Sequence, residues 1–595
     1  MNRLNRLIRS IVLPVCVLLG AAGTVSAQYA PDGNAHPDTQ LVTELAGDTV
    51  NPFGAPVRTE MSVADKEAFA ARLDLSPLYD LAVFHNGRVK ILQTLAEESV
   101  ERMTGRHNHF DLDRSGEKVR KVSFDPVFTL FDIMIDPAHY VDRPTIGIGY
   151  LPLRQQILQR AVEDPAQREA WLRTGMVSPR MVDQHLTAVM DAHAGEEQYR
   201  RAAGQVDRGF MVFVDSWANL NLIAPEASDR PWIHLGQLPE TAPARVAATR
   251  LAQAWRNADA DGVNSAAREL AEILPTINAA VYPTGKRSLE SLYNRSNAFE
   301  WGYWIYLVSL VSLVLAFGTG RKWLVAVGIG TLIAAMALHA LGFGLRWAIA
   351  ERFPIQNQFE SMTGLSLFAA IVGFVAMIWK RQWLFGAAAA ATGFMVLITA
   401  TETGIPGVHI EREAAILNTS VLLKYHVTTV LTSYGLIALG FIISLFYLGT
   451  HYAAKFAGRT EMQLVAAGAL GAGPVGDEPA PATETEAQMR TRRTLRDLDT
   501  AHMTVLQLAF WTLGVGILLG AWWADHSWGR WWAFDPKETW ALVTWIVYLI
   551  VIHVRMTGLK DRGLTTAWLS VAGFIIMLWT YFGVNLLLPG LHAYA

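Results

Sequence analysis

The stretch "WGRWWAFDPKETWALVTWIVYLI", residues 528–550, joins a dense group of aromatic side chains to an apolar run. Its first 13 residues hold four tryptophans, Trp528, Trp531, Trp532 and Trp540. An aromatic belt at the lipid interface accounts for scattered tryptophans at helix ends, but a single short segment with this many exceeds that role. Indole rings offer broad apolar faces with polar edges. The segment therefore predicts a platform for a planar, apolar ligand at a membrane surface, with the interfacial belt as the alternative.

Long apolar runs surround this segment in the second half of the chain. Eight of them are long enough to cross a bilayer, and they lie near residues 302–318, 323–345, 361–379, 383–400, 423–449, 504–523, 539–556 and 565–588. Residues 28–300 instead mix charged and apolar residues as a soluble domain does. The predicted fold class is an α-helical integral membrane protein, in which about eight transmembrane helices at 301–595 follow a mostly helical soluble domain.

The N-terminus has the features of a secretory signal. Three arginines precede a short apolar run at residues 11–22, and a small-residue cleavage site follows at 25–27. These features predict a signal peptide at residues 1–27 and export of residues 28–300; a retained anchor is the alternative. Cys16 is the one cysteine of the sequence, and a single cysteine excludes a disulfide framework and a cysteine-ligated metal cluster. Cleavage of the signal peptide would remove it. The net charge of −3 provides no global basic field, so we expect no nucleic-acid partner.

Export of residues 28–300 would set the orientation of the spans. The first span then runs inward, and the connections on the inner face carry the excess of Lys and Arg that the positive-inside rule requires. These basic residues are Arg321, Lys322, Lys380, Arg381, Arg490, Arg492, Arg493, Arg496, Arg555, Lys560 and Arg562. The longest inner connection, residues 450–503, is rich in Gly, Pro, Ala and acidic residues and predicts a flexible cytoplasmic linker. We expect a multi-pass protein of the cytoplasmic (inner) membrane, embedded in its lipid bilayer, with the tryptophan-rich segment 524–540 on the periplasmic side.

Two histidines fall on the same predicted side as the tryptophan-rich segment. His426 begins the fifth span in "LLKYHVTTVLTSYG", and His592 lies near the end of the chain in "LLLPGLHAYA". Taken alone, each is more simply interpreted as a structural residue at the membrane interface. Imidazole is, however, a common axial ligand of haem iron. Two imidazoles beside a set of indole faces therefore predict a site for a flat porphyrin.

The quoted segment also resembles a known signature. Residues 528–555 are similar to the WWD motif of haem-handling proteins, W-G-x-W-W-x-W-D-P-K-E-T-W-A, and most similar to the CcsA/ResC family of system II cytochrome c biogenesis. Four further stretches match this family in the same order, namely "HALGFGLRWAIAERFPIQNQFESM", "KYHVTTVLTSYG", "VIHVR" and "VNLLLPGLHAYA". The resemblance covers roughly residues 300–595. Phe534 stands where the pattern has Trp, which keeps an aromatic face at that position.

The resemblance implies a set of ligands for haem b. It implies that His426 and His592 hold the iron at an outer site, and that His553 is an intramembrane ligand on the route from the cytoplasm. An intramembrane histidine is costly and suggests a function; the alternative is a histidine that reaches the inner surface beside Arg555. His339 is either a partner of His553 or a packed, hydrogen-bonded residue. The residues expected to bind haem at the outer site besides the histidines are Trp528, Trp531, Trp532, Asp535 and Trp540.

The function implied by the resemblance is covalent attachment of haem to the Cys-x-x-Cys-His segment of an exported apocytochrome c. This would be a holocytochrome c synthase (haem lyase) activity, shared with a separate ResB/CcsB-like membrane subunit. Lys537 or Arg530 could pair with the haem propionates, while Asp535 and Glu538 are expected to shape the loop through hydrogen bonds. The alternatives are a CcmC-type haem transporter or chaperone without synthase chemistry, a CcmF-like protein with more spans, and a structural assembly subunit.

The role of residues 28–300 is less defined by the sequence. Residues 80–106 resemble a segment that precedes CcsA in some large fused proteins. Amphipathic patterns predict helices at 154–174 and 243–273, and the run "RGFMVFVDSW" at 208–217 predicts a strand. The pair at His107 and His109 is interpreted as part of a solvated loop, with a ligand pair as the alternative.

Overall fold

The computed structural model describes residues 51–54, 61–113, 120–405, 407–411, 420–469, 485–555 and 561–588. The predicted signal peptide at residues 1–27 and the predicted ligand His592 lie outside these ranges. One compact unit ends at Arg295, and a second unit begins at Ser296. Helices predominate in both units, which confirms the predicted fold class.

The N-terminal unit is a set of helices with three small antiparallel strand pairs. Its helices are Val63–Ala70, Ser76–Tyr79, Leu92–Thr104, Pro126–Ile135, Leu151–Ala161, Pro165–Thr174, Pro179–Ala192, Glu197–Val214, Pro243–Arg256, Ala260–Ile273 and Thr284–Ser296. The strands pair Ala82–His85 with Arg88–Ile91, Phe110–Asp113 with Arg120–Ser123, and Ile146–Gly147 with Met176–Val177. The helices predicted at 154–174 and 243–273 are thus confirmed.

Several of these helices begin with the same local sequence, an Asp or Ser followed by Pro. The Asp125 carboxylate accepts hydrogen bonds from the backbone N–H groups of Val127 and Phe128. Asp164 and Ser178 cap the following helices in the same way. Proline suits the first helical position because its missing N–H has no partner inside the helix there. The cap and the proline together specify where each helix starts.

The predicted strand at 208–217 is wrong. Residues up to Val214 belong to the helix Glu197–Val214, and a single 3₁₀ turn, Ser216–Asn219, follows. The buried residues Val206, Phe210 and Phe213 recur at the three- and four-residue spacing of a helix face. A window that began at Arg208 was too short to show this period, so the β-favouring Phe and Val residues dominated the interpretation.

A buried polar network lies inside the N-terminal unit. The ammonium group of Lys66 is 2.6 Å from the Asp132 carboxylate, which also accepts hydrogen bonds from Tyr140 and from the Trp255 indole. The His109 ring is buried and packs edge-on against Tyr140. Burial lowers the pKa of His109 to about 4. The solvated-loop interpretation is therefore wrong for His109.

His107, two residues earlier, has the opposite environment. Its side chain is 87% exposed and lies 3.4 Å from the Glu101 carboxylate. The solvated-loop interpretation therefore holds for His107. The two histidines occupy different surroundings, one solvated and one buried, which disfavours the ligand-pair alternative.

We expect the N-terminal unit to lose stability as the pH falls from about 6.5 to about 4. In that window unfolded His109 binds a proton, whereas the buried ring stays neutral, so acid favours the unfolded state. A pKa displaced from 6.5 to about 4 corresponds to at most about 3 kcal/mol at the low end of this window. Hydrogen exchange of the intact protein at several pH values measures this effect. His109→Gln should lessen the pH dependence, part of which remains because burial also lowers the pKa of His85 in this unit to about 4, and His107→Gln should leave it intact; a pH-independent wild type would contradict the expectation.

The second unit contains the membrane-spanning helices. Its helices are Ala298–Thr319, Lys322–Ala350, Gln358–Lys380, Trp383–Glu402, Val421–Ala469, Glu486–Trp528, Pro536–Val554 and Arg562–Leu578, named here the first to eighth spans, followed by the π-helical segment Trp579–Gly583 and by Val584–Leu587. Among the described residues, eight helices are long and apolar enough to cross a membrane, as predicted. The third, fourth and fifth spans are 61%, 72% and 67% buried inside the chain, but the seventh only 17%. The seventh span therefore lies at the periphery of this unit.

Two predicted boundaries in this unit need correction. Helix occupies residues 450–469 and 486–503 of the predicted flexible linker, because the fifth and sixth spans continue beyond their apolar parts. A capping box formed by Thr485 and Gln488 starts the sixth span inside the segment assigned to the linker; residues 470–484 lie outside the described ranges. The tryptophan-rich segment 524–540 is also mostly helical at its two ends, since helix extends to Trp528 and resumes at Pro536.

A buried ion network joins the second and third spans. The Arg346 guanidinium donates to the Glu360 carboxylate at 3.0 Å, and Arg352 donates to the same carboxylate at 2.7 Å. Arg346 also donates to the backbone carbonyls of Gly407 and Val408, at 2.5 and 2.6 Å. These bonds satisfy charged groups that are removed from water. They also fix part of the connection that leads from the fourth span to the fifth.

Candidate functional site

The tryptophan-rich segment folds as a short loop between two helix ends. The sixth span ends at Gly529, whose φ of +69° favours a glycine. The seventh span begins at Pro536, with Asp535 as its N-cap; the Asp535 side chain accepts a hydrogen bond from the Lys537 N–H at 3.2 Å. The loop proper is therefore residues 529–535.

Glu538 shapes this loop from the first turn of the seventh span. Its carboxylate accepts hydrogen bonds from the backbone N–H groups of Ala533 at 2.9 Å and Asp535 at 3.3 Å. Phe534, between them, has a positive φ of 56° and a side chain that is 81% exposed. Such backbone strain persists only where the surroundings enforce it. The prediction that Asp535 and Glu538 shape the loop through hydrogen bonds is confirmed.

A cleft opens beside this loop, between the fifth, sixth and seventh spans. Its empty space, counted to the open mouth and including solvent there, is about 810 Å³. Residues predicted to bind haem line it together with the two predicted propionate partners. These residues are His426, Trp528, Trp531, Trp532, Arg530 and Lys537. Aromatic faces and two basic side chains thus line one concave space together with the Glu538 carboxylate, which is bonded to the loop backbone. The aromatic and basic groups suit a flat, largely apolar ligand that carries anionic groups.

The His426 ring has a defined orientation in this cleft. Its Nδ1 lies 2.7 Å from the backbone carbonyl oxygen of Gly516. A carbonyl can only accept, so Nδ1 carries the proton and Nε2 carries the lone pair that can bind a metal. The same arrangement, in which a second group fixes the tautomer and the plane of a ligating ring, is usual for metal-binding histidines.

The predicted tryptophans divide between two places. Trp528 and Trp531 line the cleft and are 40% and 56% exposed, while Trp532 is more buried and packs edge-on against Phe534. Trp540 lies elsewhere, with its ring edge-on to Trp579 at 5.8 Å. The structure therefore gathers three of the four predicted tryptophans around the cleft and places the fourth in the packing between the seventh and eighth spans. Asp535 is buried at the helix cap, where it acts on the loop.

The other predicted histidines have contrasting environments. His553 is exposed in the last turn of the seventh span, and its Nδ1 lies 2.8 Å from the Leu549 carbonyl oxygen of the same helix. His339 is fully buried; its Nε2 lies 2.9 Å from the Thr363 carbonyl oxygen and its Nδ1 3.4 Å from the Tyr306 hydroxyl. Partners at both nitrogens favour the packed, hydrogen-bonded interpretation of His339.

Sequence reasoning missed several residues beside the cleft. Tyr434 lines the cleft and packs edge-on against Tyr581, at 6.0 Å between ring centroids. Tyr581 lies in the π-helical segment Trp579–Gly583 and bonds Ser361 of the third span. A π-helical turn often marks a functional site, but a tyrosine in an apolar run gives no sequence signal of it. Gly516 and Gly520 were also missed, although a G-x-x-x-G spacing in an apolar helix is a recognised sign of close helix packing.

Known proteins similar to this chain are biogenesis proteins. The family model described as "Cytochrome C assembly protein" matches residues 296–592. The cytochrome c biogenesis protein CcsA of Synechocystis sp. is 29% identical over 342 residues, which are 52% of this chain and 98% of that protein. CcsA of Parasynechococcus marenigrum is 31% identical over 49% of this chain and 94% of that protein, and CcsA of Microcystis aeruginosa 32% identical over 44% and 86%. About half of the chain thus covers most of each relative.

Proposed function

Because the chain belongs to the CcsA family of cytochrome c biogenesis proteins, we propose that it presents haem b at the cleft for covalent attachment to an exported apocytochrome c. The observation that carries this proposal is the His426 ring, which lines an aromatic cleft with its Nδ1 bonded to Gly516. A haem-sized ligand needs a metal-binding nitrogen, flat apolar walls and cations for its propionates. The cleft contains all three kinds of group.

The proposed chemistry is addition of two cysteine thiols to the two haem vinyl groups. In each addition the sulfur bonds to one vinyl carbon and the hydrogen to the other, so no group leaves and the electron count balances. The thiols come from the Cys-x-x-Cys-His segment of the substrate. The protein's part is to hold the ring so that the vinyl groups face the incoming thiols, and such positioning can by itself contribute several kcal/mol to a barrier. Arg530 and Lys537 pair with the propionates, and His426 with His592 holds the iron.

Haem reaches this cleft from the inner face by way of His553. Two observations support this step. His553 is exposed at the far end of the seventh span, and that span is only 17% buried inside the chain. A polar ligand on a peripheral span needs a neighbour in the membrane. A ResB/CcsB-like membrane subunit that covers this face would supply the second inner ligand.

The proposed orientation places the N-terminal unit and the cleft on the periplasmic side of the inner membrane. It rests on the basic residues of alternate connections. Reporter fusions after residues 380 and 560 should report a cytoplasmic location, and fusions after 350 and 410 an exported one. The reverse pattern would place the cleft out of reach of an exported substrate.

Co-expression with an apocytochrome c tests the function. We expect covalent haem on the cytochrome, detected after denaturing electrophoresis, when the chain and a ResB-like partner are both present. The matched control is the same apocytochrome with both motif cysteines replaced by serine, which removes the thiols and keeps the histidine. Haem bound to the purified chain without covalent product under any of these conditions would contradict synthase chemistry and support a CcmC-type carrier. Absence of both haem and product would overturn the whole proposal.

A further inference from the structure

The fifth and sixth spans pack closely along a line of small and polar residues. A β-carbon added at Gly516 would lie 2.6 Å from Val430 Cγ2, so the two helices touch at that point. Further along, the Ser433 hydroxyl donates to the Ala509 carbonyl at 2.8 Å. The residue numbers at these contacts increase along the fifth span as they decrease along the sixth, so the two helices are antiparallel. Small residues permit such close approach of membrane helices.

The same line of contact continues to the His426 ring. A β-carbon added at Gly520 would lie 2.5 Å from His426 Cε1, 2.7 Å from Nδ1 and 3.1 Å from Nε2. The first two distances are shorter than real β-carbons show, so the ring occupies the space that any other residue at position 520 would fill. Gly516 lies one helical turn before Gly520, on the same face, and its carbonyl oxygen accepts a hydrogen bond from His426 Nδ1–H. The ring thus lies against one face of the sixth span, where it is hydrogen-bonded to the backbone at Gly516 and in contact with the backbone at Gly520.

We propose that Gly520 is a positioning residue for the metal ligand His426. Its missing side chain forms the slot that fixes the plane of the imidazole, while the Gly516 carbonyl fixes the tautomer. This inference rests on the proposed function, in that His426 must bind haem iron. Both partners belong to helices rather than loops, which suits a ligand that must be held within a fraction of an ångström. Glycine has no side chain that could act as an acid, a base or a metal ligand, so a substitution at position 520 must affect haem through the His426 imidazole.

The first test compares glycine substitutions in the purified, haem-loaded protein. We expect Gly520→Ala to convert the spectrum of bis-imidazole haem into that of haem lacking one imidazole, because the ring is displaced from its slot. Gly440→Ala is a matched control in the same pair of spans: its β-carbon would lie 3.0 Å from Leu506 Cδ2, the end of a side chain, and at ordinary contact distances of 3.8 Å from His502 and Val505. Gly449→Ala is a second control, since no described atom lies within 4 Å of its β-carbon. Both controls should keep the wild-type spectrum.

The second test avoids a misfolded variant. In His426→Gly the ring is absent, and added imidazole should occupy the slot and restore the bis-imidazole spectrum. In His426→Gly combined with Gly520→Ala, the new methyl group has room, so the protein should fold as the single variant does. The methyl group narrows the slot, however. Because overpacking destabilises a site, we expect the double variant to need roughly tenfold more imidazole than the single variant.

The possible results distinguish failure of the proposed function from failure of the positioning role of Gly520. Wild-type protein that neither binds haem nor yields covalent product would overturn the proposed function itself. Haem-loaded wild type with an unchanged spectrum in Gly520→Ala would overturn the positioning role of Gly520 and leave the proposed function standing. Equal imidazole requirements in the single and double variants, or equal spectral loss in Gly440→Ala, would also overturn the slot.

Discussion

Replacing His426 with Ala is expected to abolish formation of holocytochrome c, and added imidazole is expected to restore part of it. The side chain is the one described imidazole that lines the aromatic cleft, so its loss removes an axial ligand while the indole faces remain. An axial ligand can be replaced from solution when its cavity persists. The yield should fall by at least about tenfold, which corresponds to 1.4 kcal/mol or more. Covalent haem on a co-expressed cytochrome is the measurement, and His592→Ala should behave alike.

A nearby histidine provides the control for this prediction. His526 is exposed at the end of the sixth span, and its Nδ1 lies 3.0 Å from the Trp522 carbonyl oxygen of the same helix. Its replacement with Ala should leave the yield at the wild-type level. Wild-type yields from His426→Ala would remove this residue from the site, and a loss that imidazole does not relieve would indicate a structural role instead.

The second large effect separates the route of haem from its final position. We expect His553→Ala to lower the haem that copurifies with the protein, because haem loses a ligand on its way to the cleft. Replacing Trp531 and Trp532 with Ala should leave this loading step in place and prevent attachment to the cytochrome. About 20 Å of helix separates Thr539 from His553, at 1.5 Å per residue. One haem cannot contact both ends, so the two defects should be distinct.

Haem content and the reduced absorption spectrum of each purified variant measure this contrast. His451→Ala is the control for the His553 position, since this ring stacks on Tyr447 of the fifth span and has no proposed contact with haem. If His553→Ala keeps full haem content and full activity, His553 is an ordinary interfacial histidine. The tryptophan prediction fails if the double variant still forms covalent product at the wild-type rate.

The sequence predicted what depends on composition and periodicity. Eight apolar runs of sufficient length became eight helices, and Asp535 followed by Pro536 marked the start of the seventh. The grouping of His426 with the tryptophans followed from counting spans, because two crossings, the fifth and sixth spans, lie between the fifth span's start and Gly529 and return the chain to the same side. The strand prediction at 208–217 was wrong because periodicity could not be judged there: a ten-residue window contains fewer than three turns of helix.

The features that the sequence did not predict are contacts between atoms of different helices. The Gly516 carbonyl belongs to the backbone, so the residue type does not indicate that it will accept a hydrogen bond from His426, 90 positions earlier. Gly520 is informative only once His426 is known to face it. Trp540 shares its residue type and segment with the cleft tryptophans, yet helical geometry turns its ring toward Trp579. Side-chain direction around a helix, rather than proximity in sequence, separates these cases.

The ion network between the second and third spans has a consequence for how the chain enters the membrane. Arg346 is fully buried and Arg352 is nearly so, and both depend on Glu360 from the next helix for charge compensation. Arg346 lies near the end of the second span, where a charge costs less than the roughly 2.5–3.5 kcal/mol of a helix centre on translocon scales, but a partner that arrives later cannot offset this cost. We therefore expect the two helices to insert as one hairpin. A nascent chain that stops after the second span should enter the bilayer poorly, whereas one that extends through Lys380 carries its own counter-ion.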